Sequence, residues 1–280
     1  MQLINRYIKT AVLSIFTVSI ISASILNDAV AEDEAPVYAF PDKWMIRAGA
    51  YIVNDANTKV SVSSSVGVGA IIDYQKDLGG EDSDTIPRID AYYRFNARHR
   101  IDFTSFSIDR QGERTLTVDL DIGDETFFAT ETVFSEVKYT LYKVGYGYSF
   151  YHSPKTELTL TAGLNITEYD LKFATSDGTT TESAGLTVPL PVVGLRMAYA
   201  ITPRWNVHYV SEAFFINYED VFRGAIINFE LNTEYRLFKN FALGAGIARI
   251  GVDAEVDDDD WRGTVTDSYN GFNVYGALYF

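Results

Sequence analysis

The amino-acid sequence predicts an all-β protein, a single antiparallel transmembrane β-barrel of about ten strands. Three observations predict this fold. The chain opens with a segment typical of secreted proteins, it contains repeated segments in which apolar and polar residues alternate, and it ends on an aromatic residue, Phe280. A strand with one face toward lipid alternates with a period of two, and a terminal aromatic ring suits the membrane–water interface.

The first 31 residues form a predicted secretory signal peptide. Arg6 and Lys9 precede an apolar stretch at 11–26, and Ala29-Val30-Ala31 supplies the small residues of a cleavage site. An N-terminal membrane anchor is the alternative, but the apolar stretch is shorter than the ~20 residues that a spanning helix needs. The predicted organisation is a signal peptide at 1–31, a short periplasmic segment at 32–43 and a barrel at 44–280.

Composition narrows the classes of function. The net charge is −15, and loss of Arg6, Lys9 and Asp28 with the signal peptide would make it −16, because two basic residues and one acidic residue are lost. Such a chain is a poor partner for nucleic acid. It has no cysteine, which excludes disulfides and thiol chemistry. No later segment has ~18 continuous apolar residues, so a membrane-spanning chain must form a barrel.

Alternation identifies the strands one by one. Leu158, Leu160 and Leu164 share one parity, and the opposite parity is polar. The same pattern recurs at 140–150 and 225–237, with charges and glycines crowded on the polar side. This arrangement favours a lipid-facing outer surface over a soluble β-sandwich, which would also alternate. The predicted spans are 44–53, 86–95, 100–109, 136–150, 157–169, 186–201, 205–217, 225–237, 241–251 and 267–280.

The connections are of two kinds. Short segments flanked by aromatic residues predict periplasmic turns, and longer acidic segments predict extracellular loops. An even number of strands places both termini in the periplasm. The segment 60–74 also alternates, so twelve strands is an alternative, as is eight; Pro189 and Pro191 are expected at the extracellular rim, where a missing donor is tolerated. The predicted turns are 96–99, 152–155, 202–204 and 239–240, and the predicted loops are 110–132, 175–183 and 253–265.

A block of residues around the first predicted turn resembles a known group of proteins. Asp90-Ala91-Tyr92-Tyr93-Arg94-Phe95-Asn96 followed by His99-Arg100-Ile101-Asp102-Phe103, together with the signal peptide and Phe280, is similar to small Gram-negative outer-membrane β-barrels of the OmpW-like and porin-superfamily group. The resemblance covers 44–280 as a pattern and carries over no functional residue. It implies a bacterial outer-membrane location. The expected partners are outer-membrane lipids, lipopolysaccharide and, through the strand ending at Phe280, the barrel-assembly machinery.

The inward parity predicts a charge network in the lumen. Five cations and five carboxylates fall on the polar side of the predicted strands. Unpaired charges in a narrow barrel cost several kcal/mol each, so mutual pairing is expected, with a selective solute path as the alternative. The ten residues are Arg47, Arg88, Asp90, Arg94, Asp102, Lys143, Arg196, Glu212, Glu230 and Glu234.

Other candidate sites are few. His99 and His152 fall in predicted periplasmic turns and His208 lies just beyond one, whereas enzymatic barrels of the outer membrane carry their working groups at the opposite end, so no catalytic site is predicted. Arg249 faces outward near the extracellular end and is predicted to contact lipopolysaccharide. The acidic run 257–260 does not fit the spacing of an EF-hand loop, and no metal or cofactor is predicted.

The predicted function is a narrow or gated passive channel for small or hydrophobic solutes. A ten-stranded barrel is close in size to barrels whose interior is filled by side chains, so any lumenal path should be small. A structural or surface-interaction barrel without a conductive pore is the alternative, and a lipid-modifying enzyme or protease is a third class. A lateral opening in the wall is a further route for hydrophobic molecules.

Overall fold

The computed structural model describes residues 42–63, 71–122, 125–218, 222–257 and 262–280. These residues form long antiparallel strands and one short helix, and no described helix is long and apolar enough to cross a membrane. In chain order the elements are β1 (Trp44–Ser63), β2 (Ile71–Asp73), α1 (Tyr74–Asp77), β3 (Asp84–Arg94), β4 (His99–Thr115), β5 (Leu120–Ile122), β6 (Glu125–Phe127), β7 (Thr132–His152), β8 (Thr156–Thr175), β9 (Thr181–Ala200), β10 (Trp205–Tyr218), β11 (Phe222–Phe238), β12 (Phe241–Asp257) and β13 (Arg262–Tyr279).

Ten of these strands form a closed barrel. Neighbouring barrel strands pair in the order β1-β3-β4-β7-β8-β9-β10-β11-β12-β13, and β13 pairs back onto β1 from Met45↔Tyr279 to Ser63↔Arg262. Each barrel strand therefore pairs with a neighbour on both sides, along all or part of its length. The prediction of ten strands is confirmed. Of the short strands, β2 adds onto β1 at 59–61, and β5 and β6 form a separate two-stranded hairpin.

The barrel has two unlike ends. At one end, which we call the turn end, connections of two to four residues join the strands, and Lys43 and Phe280 lie beside each other. At the other end, the loop end, residues 64–83 and 116–131 link β1 to β3 and β4 to β7. The strands run farther toward the loop end than the sequence predicted, because β8 and β12 continue to Thr175 and Asp257, inside segments predicted as loops.

The strands are longer than a membrane requires. β7 has 21 residues and β8 has 20, whereas about 9–11 tilted residues cross the hydrocarbon core. Side-chain character on β8 shows where the lipid contact ends. Its outward residues are apolar from Leu158 to Ile166, and the next outward residue, Glu168, begins a charged stretch. Nine residues, 158–166, therefore form the lipid-facing part of this strand.

The inward face of β8 changes in the opposite sense at the same place. Its inward residues are polar or glycine up to Thr167, and then Tyr169, Leu171 and Phe173 are buried. Other strands change at corresponding positions, since outward Ile247 is followed by Arg249 on β12, and outward Phe272 is followed by Asn270 on β13. The turn-end half thus has a lipid-facing exterior and a polar interior, and the loop-end half has the reverse.

Candidate functional site

The interior of the barrel is the candidate functional site. Its turn-end half contains charged side chains from nearly every strand, because the inward parity of those strands is polar. All ten residues of the predicted charge network lie here, and each makes at least one ion pair. We call this set and the charged residues paired with it the turn-end network.

Arg88 is at the centre of one group of ion pairs. Its Nη2 lies 2.7 Å from Glu230 Oε1 and 2.9 Å from Asp90 Oδ1. Thr104 donates a further hydrogen bond from Oγ1 to Asp90 Oδ1 at 2.8 Å. All four side chains are buried. Charge-assisted bonds of this length offset the loss of hydration that burial imposes on each ion.

Glu212 joins the second group. It accepts from Lys143 Nζ at 2.7 Å and from Arg196 Nη2 at 3.2 Å, so one carboxylate serves two cations. Asp102 is the second carboxylate of this group: its Oδ1 lies 3.9 Å from Arg196 Nη1, and its Oδ2 accepts from Arg100 Nε at 3.1 Å. Removal of either carboxylate would leave a buried cation without its partner.

The remaining pairs lie closest to the turns. Arg94 donates two hydrogen bonds of 2.7 Å to the carboxylate of Glu157, and Arg47 lies 3.8 Å from Glu234. Arg236 pairs with Asp42 at the entrance to β1. In the described residues the network has seven cations and seven carboxylates, so it is neutral. They are Arg47, Arg88, Arg94, Arg100, Lys143, Arg196 and Arg236, with Asp42, Asp90, Asp102, Glu157, Glu212, Glu230 and Glu234.

Sequence reasoning missed four members of this network. Arg100 and Glu157 occupy inward positions of β4 and β8, so the parity rule that found Asp102 would also have found them. Arg236 lies on the same parity as Glu234 at the end of β11. Asp42 precedes the first predicted span, and no pattern in the sequence marks it as an inward residue.

Little open space remains among these side chains. The cavity that they line has a volume of about 80 Å³, which is room for roughly three water molecules. His208 points into it, with Nε2 3.9 Å from Glu234 Oε1, while His99 and His152 lie at the turn end, as expected from the sequence. The interior here suits bound water rather than an organic solute.

The loop-end half is filled by apolar and aromatic side chains. Tyr51, Ile108, Tyr139 and Tyr269 are fully buried at the centre of this packing, and the rings of Tyr139 and Tyr269 stack 6.1 Å apart. A second cluster beyond them includes Leu78, which follows α1, and Phe127 on β6, so the loops also contribute to the packing. We call the two clusters together the apolar core of the loop-end half.

One ion pair lies within this apolar core. Arg110 is completely buried, and its Nη2 lies 3.6 Å from Asp267 Oδ1. The guanidinium is between the rings of Tyr74 and Tyr269, at 5.2 and 5.1 Å from their centroids, an arrangement that stabilises a cation. The sequence analysis placed Arg110 in a loop, and its burial follows from the extension of β4 beyond the predicted boundary.

The segment that contains α1 closes one interruption in the wall. Pairing between β3 and β4 stops at Arg88↔Phe106. Beyond that point Glu81 donates a backbone hydrogen bond to the Gln111 carbonyl at 3.1 Å, and the Tyr74 hydroxyl donates to the Arg110 carbonyl at 2.9 Å. The segment 74–82 therefore occupies the place beside β4 that β3 leaves.

A second interruption lies between β9 and β10. The last pair between these strands is Val193↔Ala213, although β9 continues through 181–192 and β10 through 214–218. In the described part of the chain, no backbone hydrogen bond joins these two extensions. Val193 also pairs with Ala162 of β8, so this interruption, which we call the β9–β10 gap, begins within the lipid-facing part of the wall.

Two prolines on β9 account for the loss of pairing. Pro189 and Pro191 lack a backbone donor, yet the ladder with β8 continues past both without a register shift. Alternate residues of an antiparallel strand bond to opposite neighbours, so the missing donors weaken the side that faces β10. The sequence placed these prolines at the start of a strand near the rim, but β9 begins at Thr181, and both prolines lie in the wall beside the lipid-facing part of β8.

The gap opens onto apolar side chains. Leu190 and Val192 of β9 are buried, and Phe214 of β10 packs against the apolar core. A small cavity without charged groups lies on the loop-end side of the gap. It is lined by Tyr169, Leu171, Ala184, Gly185, Leu186, Ala254 and Val265.

The remaining predicted sites lie outside the barrel interior. Arg249 is exposed and outward, and it is the first charged residue beyond the apolar exterior of β12. Of the acidic run 257–260, residues 258–260 lie outside the described residues. Within the described ranges, no group of three or more His, Asp or Glu side chains could hold a metal ion.

No protein-family model and no curated protein matches the chain. Solved structures do. The outer-membrane protease OmpT of Escherichia coli is 11% identical, with a TM-score of 0.51 over 84% of this chain and 97% of that one. The attachment protein Ail of Yersinia pestis is 12% identical, with a TM-score of 0.38 over 83% of this chain and 99% of that one. The toluene transporter TodX of Pseudomonas putida is 11% identical, with a TM-score of 0.31 over 88% of this chain and 92% of that one. The fold is that of an outer-membrane β-barrel.

Proposed function

We propose that this outer-membrane barrel passes small hydrophobic molecules sideways through the β9–β10 gap and conducts no ions through its lumen. The observation that carries the proposal is the end of β9–β10 pairing at Val193↔Ala213, in the lipid-facing wall and directly beside an apolar core. In this proposal the turn end faces the periplasm, in agreement with the usual short periplasmic turns of such barrels. The gap then lies in the outer leaflet.

Two unlike barriers support a lumen closed to ions. An ion would have to displace the paired charges of the turn-end network and then cross the apolar core, where an unpaired charge costs several kcal/mol. A hydrophobic molecule faces only the second region, and there it exchanges one apolar contact for another. Of the predicted solutes, hydrophobic molecules are therefore the class that this interior favours.

The edges of the gap suit the same class of molecule. Val193 is 65% exposed and Phe215 is 41% exposed, both on the outer surface, while Phe214 lies behind them against the apolar core. A molecule that moves from the loop end through the core would leave between these residues into the lipid. No backbone ladder has to break for this movement, because none joins the described residues of the two strands beyond Val193 and Ala213.

A cross-link across the gap tests the proposal. The chain has no cysteine, so Val193→Cys and Phe215→Cys, which keep both prolines, can be joined by a cleavable bis-maleimide linker. The readout is the rate at which a fluorescent naphthylamine dye enters the membrane of cells that produce the protein. We expect the linker to reduce this rate to that of cells lacking the protein, and its cleavage to restore the rate.

The matched control places the same linker on the unbroken wall. Leu160→Cys and Leu195→Cys are register partners on β8 and β9, and both side chains face outward. This cross-link should leave dye entry unchanged. If complete cross-linking of Val193→Cys to Phe215→Cys also left dye entry unchanged, the gap would not be the route.

A surface-interaction role is the second candidate, and the charge of the loop-end exterior favours it. Among the charged outward residues beyond the apolar exterior, carboxylates such as Asp109, Glu168 and Asp170 outnumber cations, and Arg249 is an exposed cation at the boundary. We propose that Arg249 contacts a lipopolysaccharide phosphate. Arg249→Ala should lower the amount of lipopolysaccharide that co-purifies, whereas Lys172→Ala, farther from the lipid, should not; equal amounts from both variants would contradict the contact.

Two further predictions are part of this proposal. We propose that the barrel-assembly machinery recognises the strand that ends at Phe280. We also propose that the protein has no enzymatic activity, since the three histidines lie in the turn-end half. Membership of the OmpW-like group stays a prediction. Deletion of Phe280 should slow formation of the heat-modifiable folded species in cells, and unchanged folding would count against recognition of that end.

A further inference from the structure

A ring of exposed cations surrounds the turn end. Each of the four short turns carries one basic residue and no acidic residue, and Lys43 adds a fifth cation where the chain enters β1. All five side chains are exposed. They are Lys43, Arg98, Lys155, Arg204 and Lys239.

The charges of this ring are not neutralised by ion pairs within the described part of the protein, so they can bind an external anion. None of its five members makes an ion pair within the described residues. The acidic residue nearest to Lys43, Asp42, is turned toward Arg236 and paired with it, so it does not neutralise the ring. The turn-end network inside the barrel is itself neutral. The positive charge at this end is therefore directed outward.

Aromatic side chains fix the depth of the ring in the membrane. Trp44, Phe95, Phe150, Trp205 and Phe238 are 44–70% exposed on the outer surface at the turn end, which is the position of an interfacial aromatic belt. Lys43 Nζ lies 5.4 Å from the ring centroid of Tyr93, beside this belt. Cations immediately outside an aromatic belt lie at the level of lipid phosphates.

We infer that the turn end binds the headgroups of anionic phospholipids through Lys43, Arg98, Lys155, Arg204 and Lys239. Phosphate groups in a lipid leaflet match a ring of single cations spread around a barrel, and attraction to an anionic surface strengthens association about fivefold for each Lys or Arg close to it. The loop-end exterior, with its excess of carboxylates, would repel the same lipids. The contact would fix both the depth and the orientation of the barrel.

Tryptophan quenching tests the inference. In a Trp261→Phe background the emission comes from Trp44 and Trp205, both at the turn end. The protein is reconstituted with brominated phosphatidylglycerol or brominated phosphatidylcholine mixed with an unlabelled lipid, and quenching gives the relative binding constants. We expect the anionic lipid to bind several-fold more strongly than the neutral one, with a preference that decreases as salt rises.

Two charge-matched variants separate the ring from net charge. R98Q/K155Q/R204Q/K239Q should reduce the preference for phosphatidylglycerol to the small part that Lys43 alone supports. K59Q/K76Q/R114Q/K172Q removes four exposed cations from the loop end and should leave the preference intact. Equal quenching by both lipids in the unsubstituted protein would overturn the inference, as would retention of the full preference in the turn variant. Both variants keep the barrel interior, so folding can be verified by heat modifiability.

Discussion

The two halves of this barrel distribute polar and apolar side chains between exterior and interior in opposite ways. In the turn-end half, apolar side chains face lipid and fourteen charged groups fill the interior. In the loop-end half, charged side chains face outward and an apolar core fills the interior. The same strands pass through both halves, so the outward face of a strand such as β8 changes from apolar to charged within two residues, between Ile166 and Glu168.

The difference follows from the solvent around each half. Where lipid surrounds the wall, an apolar exterior has no competing water, and the polar groups are satisfied inside. Where water surrounds the wall, apolar side chains gain free energy by moving inside, as in a soluble protein. The boundary between the halves therefore marks the edge of the membrane, and the β9–β10 gap begins just below this boundary on the lipid side.

The largest expected effect comes from breaking the turn-end network. Glu212→Gln keeps the shape of the side chain but leaves Lys143 and Arg196 without their shared carboxylate. Loss of one partner of a buried ion pair costs about 3–5 kcal/mol. Guanidinium unfolding of the reconstituted protein measures this loss. Glu255→Gln removes a carboxylate from an exposed pair at the loop end and should change stability by less than about 1 kcal/mol; equal effects would contradict a buried network.

The apolar core of the loop-end half should respond like that of a soluble protein. Ile108 is fully buried there, and Ile108→Ala should lower the free energy of unfolding by about 2–5 kcal/mol through lost contacts and the cavity left behind. Ile71 is 72% exposed in the same half, and Ile71→Ala should change it by less than about 0.5 kcal/mol. A small effect of Ile108→Ala, in the same unfolding experiment, would argue that the core is loosely packed.

The position of the boundary can be tested on the exterior of β8. Ala162 faces outward within the apolar stretch, and Ala162→Arg should destabilise the barrel by about 2–4 kcal/mol in lipid. Glu168 faces outward beyond that stretch, and Glu168→Arg should cost at most about 1 kcal/mol. Unfolding of both variants in bilayers of one thickness provides the comparison. Similar costs would place both positions on the same side of the boundary.

The smallest effect concerns the hairpin that joins β8 to β9 at the loop end. Asp177 accepts hydrogen bonds from Thr175 Oγ1 and from Thr179, and these lower the pKa of its carboxyl from 3.8 to about 2. The stabilisation is present above the unfolded value and is lost as the pH falls toward 2. Carbon-detected NMR titration should give a midpoint near 2, and Thr175→Val should raise it. A midpoint near 3.8 would show that these bonds do not form in solution.

Alternation in the sequence predicted the barrel with ten strands as the preferred number, although it left eight and twelve open. It located the turn-end network because charges on the inward parity of a lipid-facing strand have only the lumen to occupy. Arg88, Glu212 and Glu230 were found in this way, without any knowledge of their partners. Which charges pair with each other could not be predicted in this way. The pairing depends on which strands face each other across the lumen, and the alternation within a single strand does not contain that information.

The loop-end half was harder to predict for a physical reason. Beyond the membrane edge the parity rule inverts, so polar outward residues such as Asp170 and Asp253 left the extensions of β8 and β12 outside the predicted spans. Arg110 is buried although it lies in a polar segment, because Asp267, Tyr74 and Tyr269 come to it from distant parts of the chain. Pro189 and Pro191 suggested a rim, but only the register of β9 with both neighbours revealed the gap.

Planar-bilayer conductance of the purified, heat-modifiable protein tests the central claim that two unlike barriers close the lumen. We expect a folded barrel that gives no single-channel steps at either polarity, since ions must cross both the turn-end network and the apolar core. Arg88→Ala should also be silent, because it weakens only one of them. Reproducible steps from the unsubstituted protein, altered in size by Arg88→Ala, would contradict a closed lumen and establish an ion path through it.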